Sequence, residues 1–405
     1  MINAKLKGVI IGDRNVIQEG RYFAEIKKLI AFLIKKGIVP IILSNDSKPE
    51  RLELERILKQ EYSQLVWYIA DRDGTPKKPK PEAINYILSI NNWNKNEAIY
   101  IGNQDIDMQM AVNAKMLFLN ATWYGQYTIY GFEFESPNKI ARFIDIFCLR
   151  EYGWQYSISN DELEYHALGI YGTRDPEYKI YTEDAREAAK LGRGHLDFWL
   201  NYFMSSIYFS GLHDRINYIA PYPGHSQGSM PTVMEESLII FAKCFRKTYL
   251  KDLIIRHTTA KKSAYARYNK EYLDCLNQLN TIMLNEYPLK GDKEERYKKS
   301  PLQVGKTVLI VDDFCTQGFS LETARVFIEQ TGAKAICLSL LKTISRNYEQ
   351  IAKIEKFSPF KQNKFSQINR VISHPYNKYI INALAHIEIG SKLQEYDNWQ
   401  WPNDI

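Results

Sequence analysis

Long apolar runs are missing from this sequence. No apolar run approaches the roughly 18 residues needed to span a bilayer, so no segment is expected to cross a membrane as a helix. Cysteine is scarce, at five in 405 residues (Cys148, Cys244, Cys275, Cys315 and Cys337), with no Cys-x-x-Cys pair and no histidine at zinc-ligand spacing. That pattern argues against a zinc site and for a reducing compartment, so a cytoplasmic location is expected. Fixed-period repeats and low-complexity tracts are absent, and Met1 to Gly8 lead straight into a strand-like run, so no signal peptide is expected. Neither charge sign dominates: 53 Lys and Arg stand against 47 Asp and Glu, a net +6. This mildly basic balance suits a protein that handles phosphates, while a solvated surface is its plainer reading.

What is present is globular. Hydrophobic residues make 45% and charged residues 25% of a chain too long for one ordinary core, which predicts two domains. Strand-length apolar runs alternate with amphipathic stretches in both halves, the pattern of βα units on a parallel sheet. The first half predicts strands at Lys7–Ile11, Ile38–Leu43, Leu65–Ile69, Ala98–Ile101 and Met116–Leu119. Residues 151–180, rich in Tyr, Gly and Asp and without a clear period, read as a link between domains. The second half predicts strands at Ile216–Pro221, Leu253–Arg256, Lys306–Val311 and Ala335–Lys342, with a helix over Leu321–Thr331.

The most informative segment runs from Val308 to Ser320. An apolar strand ends in two carboxylates, Asp312 and Asp313, and then Thr316, Gln317, Gly318, Phe319 and Ser320 lead into a helix. Ligands bind at the carboxyl ends of strands in open parallel sheets, and a turn into a helix N-terminus gathers N–H donors and partial positive charge around an anion. The two acids suit ribose hydroxyls, or a magnesium ion shared with the ligand.

This segment resembles the ribose-phosphate signature of type I phosphoribosyltransferases, which has two acids, two residues and then Thr-Thr-Gly-x-Thr or close to it. The resemblance implies that Asp312 and Asp313 contact the ribose and that Thr316 to Ser320 hold the 5′-phosphate. It departs from the pattern at Gln317 and at the bulky Phe319. By the same resemblance, Pro223, Gly224, His225 and Ser226 stand at the first pyrophosphate loop. The stretch Arg256 to Asn269, with Lys261, Lys262 and Arg267, is similar to the mobile basic loop of the competence-protein (ComF-like) branch. His225 and His257 are candidate bases. The resemblance spans roughly Tyr181 to Thr343, and the tail with Trp399 and Trp401 lies outside it.

Four pieces of the first half resemble the haloacid dehalogenase (HAD) superfamily. They are the strand Val9–Ile11, Leu43-Ser44-Asn45, Lys78-Pro-Lys-Pro-Glu82, and Ile101 to Asp107 with Asn103 where a metal ligand is expected. The nucleophile position is ambiguous. An ungapped match places Gly12 and Arg14 at the two acid positions, and sliding by one residue gives Asp13 and Asn15. A site with residual Asp13, Ser44, Lys78, Asn103 and Asp107 is not expected to work as a phosphatase.

The resulting expectation is an α/β chain of two parallel-sheet domains. A capless HAD-like Rossmannoid domain (1–150) is followed by a link (151–180) and a type I phosphoribosyltransferase fold with a C-terminal extension (181–405). The expected function is binding of phosphoribosyl diphosphate or a nucleotide with magnesium (Mg2+), and transfer or cleavage at ribose C1. Three alternatives stay open: ligand sensing without turnover, single-stranded nucleic-acid binding, and a defence effector acting on nucleotides. A protein partner or a homodimer is compatible with each.

Overall fold

The computed structural model describes residues 3–14, 16–228, 234–261, 274–291, 293–368, 370–403 and 405. The first half folds around six parallel strands: β1 (Gly8–Gly12), β2 (Val39–Ser44), β3 (Val66–Ile69), β4 (Ala98–Gly102), β5 (Phe118–Ala121) and β6 (Phe132–Phe134). Their spatial order is β3-β2-β1-β4-β5-β6. All five residues of β1 are buried, as a central strand covered on both faces requires. Order reverses beside β1, so the carboxyl ends of β1 and β4 flank a switch point where ligands of such sheets bind. The connection from β1 to the helix Phe23–Lys35 is short and carries no inserted domain.

The second half holds β7 (Tyr156–Ser159), β8 (Glu164–Tyr171), β9 (Tyr218–Pro221), β10 (Thr248–Tyr249), β11 (Ile254–Arg256), β12 (Ile282–Leu284), β13 (Thr307–Cys315), β14 (Lys334–Thr343), β15 (Tyr348–Ile351) and β16 (Val371–His374). Its main sheet runs β10-β9-β13-β14-β8-β7, while β11–β12 and β15–β16 form separate pairs. This sheet is mixed, which corrects the expectation of a wholly parallel one. The edge strand β7 pairs antiparallel with β8 through a tight hairpin whose tip is Asn160–Leu163. Residues 151–180 thus contribute two strands and the start of the helix Pro176–Leu191.

Each half holds an apolar cluster of its own, and a third cluster spans both. The spanning cluster takes in Ile30, Phe32 and Phe147 from the first and Trp199, Tyr208 and Leu338 from the second. Tyr208 donates to the carbonyls of Lys95 and Ala98 at 2.8 and 2.7 Å, and Arg150 donates to Ser205 and Ser206, both at 3.0 Å. The helix Ala385–Asn398 packs on Pro176–Leu191. Beyond it, Trp399 donates to Asp145 Oδ2 at 3.0 Å, and both Trp399 and Trp401 meet Phe32 edge-on. The tail therefore binds the two halves together. No helix among the described residues is long and apolar enough to cross a membrane, and the five cysteines are buried single thiols.

Candidate functional site

Two strand-end sites emerge, one on each sheet. At the first, Asp13 follows β1, and Lys78 Nζ lies between it and Asp107, 3.3 Å from Asp13 Oδ1 and 2.9 Å from Asp107 Oδ1. Arg51 Nε holds the other Asp13 oxygen at 2.6 Å and also pairs with Asp46. Tyr100, reaching in from β4, donates to Asp107 Oδ1 at 2.7 Å. Burial pulls the Lys78 ammonium toward neutrality, but Asp107 and Asp13 outweigh it and hold the group above the ordinary lysine range. Burial and Asp107 push the Tyr100 phenol well up, so it stays a donor.

Geometry resolves the ambiguous first motif. A Cβ on Gly12 would stand 2.8 and 2.9 Å from the Asp107 oxygens and 2.9 Å from Tyr100 Oη, so the position directed at the site has no room for a side chain. Asp13 supplies the carboxylate instead. Ser44 accepts from Trp67 Nε1 at 2.9 Å, and Asn45 is spent on the backbone of Lys78. Asn103, directly after β4, is buried. Asp107 Oδ2 is the one oxygen of this pair left with neither hydrogen bond nor ion pair. A magnesium ion needs several oxygen ligands in octahedral array. One uncommitted oxygen next to an ammonium does not fit it.

The second site differs in each respect. β9 stops at Pro221, but β13 continues to Cys315 because β14 runs on beside it, pairing Cys315 with Lys342. Asp312 and Asp313 thus stand inside an extended strand, which ends four residues beyond the expected Val311 and past the point where its other neighbour turns away. The turning segment Pro221–Gly224 and the two acids line one cavity of about 340 Å³, closed on other sides by Lys190, Leu238 and Tyr249. Lys190 Nζ lies 3.2 Å from Asp313 Oδ2 and sits over the Phe314 ring. Burial and the neighbouring Asp313 charge push the Asp312 carboxyl well above the usual range.

The helix Phe319–Glu329 begins directly after Gly318, whose φ of 90° is left-handed and whose missing Cβ would meet the Tyr348 ring at 2.6 Å. Phe319 is half-buried and packs against the apolar cluster that includes Ile310 of β13 and Tyr348 of β15. Thr343 donates to the Thr316 hydroxyl at 3.3 Å, and Gln317 O accepts from Glu349 N at 2.7 Å. Ser320 stands at the helix N-terminus near Tyr222, whose phenol is pushed up to about 12 by burial.

Of the other expected residues, Pro223 and Gly224 line the cavity. Ser226 pairs with His225 Nε2 at 3.1 Å, and the His225 carbonyl accepts from Ala260 N. Arg256 is buried under the same segment and donates to Gly224 O at 3.0 Å. His257 is bonded to Thr258 and held below the ordinary histidine range by burial and Arg256. The Lys261 backbone is tied to Asn277, and Lys262 and Arg267 lie outside the described residues. Sequence reasoning missed Arg51, Tyr100, Lys190 and Lys342. Tyr100 and Lys342 left a faint signal as polar groups in otherwise aliphatic strands.

Glu235 also lines this cavity but is paired with Lys251 at 2.7 Å, so Asp312 and Asp313 are the acids that fit a magnesium ion taking its remaining ligands from a bound phosphate. Among the described residues no group of three or more His, Cys, Asp or Glu forms a cage.

Comparison with known proteins gives one family. The model of haloacid dehalogenase-like hydrolases matches residues 9–121. Similar solved structures include an uncharacterized protein from Corynebacterium glutamicum, at 18% identity over 28% of this chain and 84% of that one, with a TM-score of 0.26. A haloacid dehalogenase-like hydrolase from Bacteroides fragilis shares 26% over 23% of this chain and 44% of its own (TM-score 0.21). A hydrolase from Pseudomonas syringae shares 17% over 29% and 57% (TM-score 0.25). This chain thus spans about half the length of those two hydrolases. No curated protein matches. Residues 9–121 are a HAD-like hydrolase domain.

Proposed function

We propose that the second sheet carries the working site, a pocket for a ribose phosphate with magnesium, and that the HAD-like domain serves as a scaffold. The observation that carries this reading is the shared cavity. The acids of β13 and the Pro221–Gly224 segment, far apart in sequence, line one space of about 340 Å³ beside Lys190. A 5′-phosphate would lie on the N–H groups of the 316–320 loop at the helix N-terminus. Asp312 and Asp313 would accept from ribose hydroxyls or hold the magnesium ion, which supplies charge neutralisation of a leaving pyrophosphate. Lys190 would keep one acid compensated before ligand arrives. Phosphoribosyl diphosphate fits this arrangement, with its pyrophosphate toward Pro223 to Ser226 and ribose C1 open to a nucleophile. The protein's part is then positioning and electrostatic stabilisation.

The test is calorimetric titration of phosphoribosyl diphosphate and magnesium into wild type and into Asp312→Asn/Asp313→Asn. Binding in wild type that weakens roughly 100-fold or more in the folded variant supports the reading, since two charged contacts are removed. Equal affinity in both proteins sinks the site assignment. Absence of binding to wild type directs attention to single-stranded nucleic acid, whose affinity falls steeply with salt.

A further inference from the structure

We propose that Lys342 is a positioning residue for an anion on the 316–320 loop, a buried ammonium that grips the loop from beneath and takes the bound phosphate as its counter-charge. This rests on the reading of that loop as a phosphate site. Lys342 ends the buried part of β14 and is fully sequestered from solvent. Its Nζ donates to the carbonyls of Thr316 and Arg346, each at 2.5 Å, with Thr343 O at 3.5 Å. The rings of Tyr156 and Tyr376 cover it at 5.7 and 5.9 Å. No carboxylate among the described residues pairs with it.

Such an arrangement is costly by itself. An ammonium out of water, satisfied by carbonyl dipoles alone, is retained where an opposite charge arrives later. The groups facing it do not supply that charge. Cys315, its register partner on β13, has a thiol pushed up to about 11 and is neutral. Burial keeps the Tyr156 and Tyr376 phenols protonated. Glu349 and Arg346 act on it with opposite sign. Burial therefore dominates and lowers Lys342 to about 8. An anion on the loop would act through one peptide. The Thr316 carbonyl shares its amide with the Gln317 N–H, and an ammonium on the oxygen makes that N–H a stronger donor.

The opposing segment is built alike. Arg256, also buried, donates to Gly224 O, to Thr281 Oγ1 at 2.5 Å and to Tyr222 Oη at 3.2 Å, with no carboxylate partner among the described residues. Arginine does not titrate in proteins. Lys342 alone would give a proton signature.

The sign follows from linkage. An anion raises the lysine's affinity for its proton, so near pH 7 the group is charged before and after binding and little uptake occurs. At about pH 8.5–9 it is mostly neutral in the free protein and charged in the complex, so binding takes up protons and affinity falls as pH rises. A phosphate monoester is already dianionic there, so the uptake belongs to the protein.

The experiment is calorimetry of inorganic phosphate and ribose 5-phosphate at about pH 7 and about pH 8.5, each in two buffers of different ionisation enthalpy. Wild type is expected to take up a substantial fraction of a proton per phosphate at the higher pH. Lys342→Met should lose this uptake and bind roughly tenfold or more weakly, while Lys342→Arg should recover affinity without uptake. Should Lys342→Met fail to fold, Lys342→Arg decides against wild type: loss of the uptake supports the role of Lys342, and equal uptake in both overturns it and assigns the proton to Asp312. Binding without uptake at the higher pH overturns the role of Lys342 and leaves the pocket standing. Uptake with inorganic phosphate but no affinity for phosphoribosyl diphosphate overturns the proposed ligand and leaves Lys342 standing. Failure to bind any phosphate overturns both.

Discussion

The two sheets place a pair of carboxylates at corresponding strand ends, and they treat those charges in opposite ways. At the first, Asp13 and Asp107 are matched by Arg51, Lys78 and Tyr100, so nearly every charge has its partner within the protein. At the second, Asp312 and Asp313 crowd one another beside an open cavity with Lys190 paired to Asp313, while Lys342 and Arg256 lie buried with no acid paired to either among the described residues. A site that has satisfied itself is stable and has little left for a ligand. One that keeps like charges together and unlike charges apart stores electrostatic work that a ligand of the right shape releases.

The contrast can be broken most severely at Lys78. Lys78→Met leaves two buried carboxylates facing each other, and urea unfolding should show a loss of about 3–5 kcal/mol. A loss below about 1 kcal/mol would mean that water or a cation already serves those acids. Gly12→Asp comes next. Its Cβ meets the Asp107 oxygens and Tyr100 Oη, so destabilisation of about 1–3 kcal/mol is expected without gain of phosphatase activity toward an aryl phosphate. Hydrolysis by that variant would show that only a nucleophile separates the first site from an active one. The smallest effect has the opposite sign. Asp312 has a raised pKa in the fold, so folding binds its proton, and stability falls as pH climbs from the ordinary aspartate range through the raised value. Asp312→Asn removes that loss, and unfolding near pH 8 should show a gain of roughly 0.5–2 kcal/mol that vanishes near pH 4. A loss at pH 8 would place Asp312 among the satisfied acids.

Much of this was legible in the residues. The first five strands lie within a few residues of their apolar runs while β6 went unread, and the segment from Asp312 to Ser320 can be proposed from the sequence because its chemistry is contiguous in the chain. The unread parts depend on what the chain brings together from a distance. Lys190 belongs to a helix with no motif of its own and meets Asp313 only through packing. β7 and β8 hid among tyrosines because, although their hairpin is local, the attachment of β8 to β14 is long-range. The choice between Gly12 and Asp13 needed the positions of Asp107 and Tyr100, which no spacing along β1 reveals.

The apolar cluster that ignores the boundary between the sheets has a consequence for how the molecule melts. With Phe32 and Phe147 packed in the same continuous mass as Trp199 and Tyr208, each half keeps a cluster of its own but loses part of its interior when its neighbour opens. Heat or denaturant should take both down in one cooperative step. Anything that tightens the second sheet then protects Asp13 and Lys78 as well, although it never touches them.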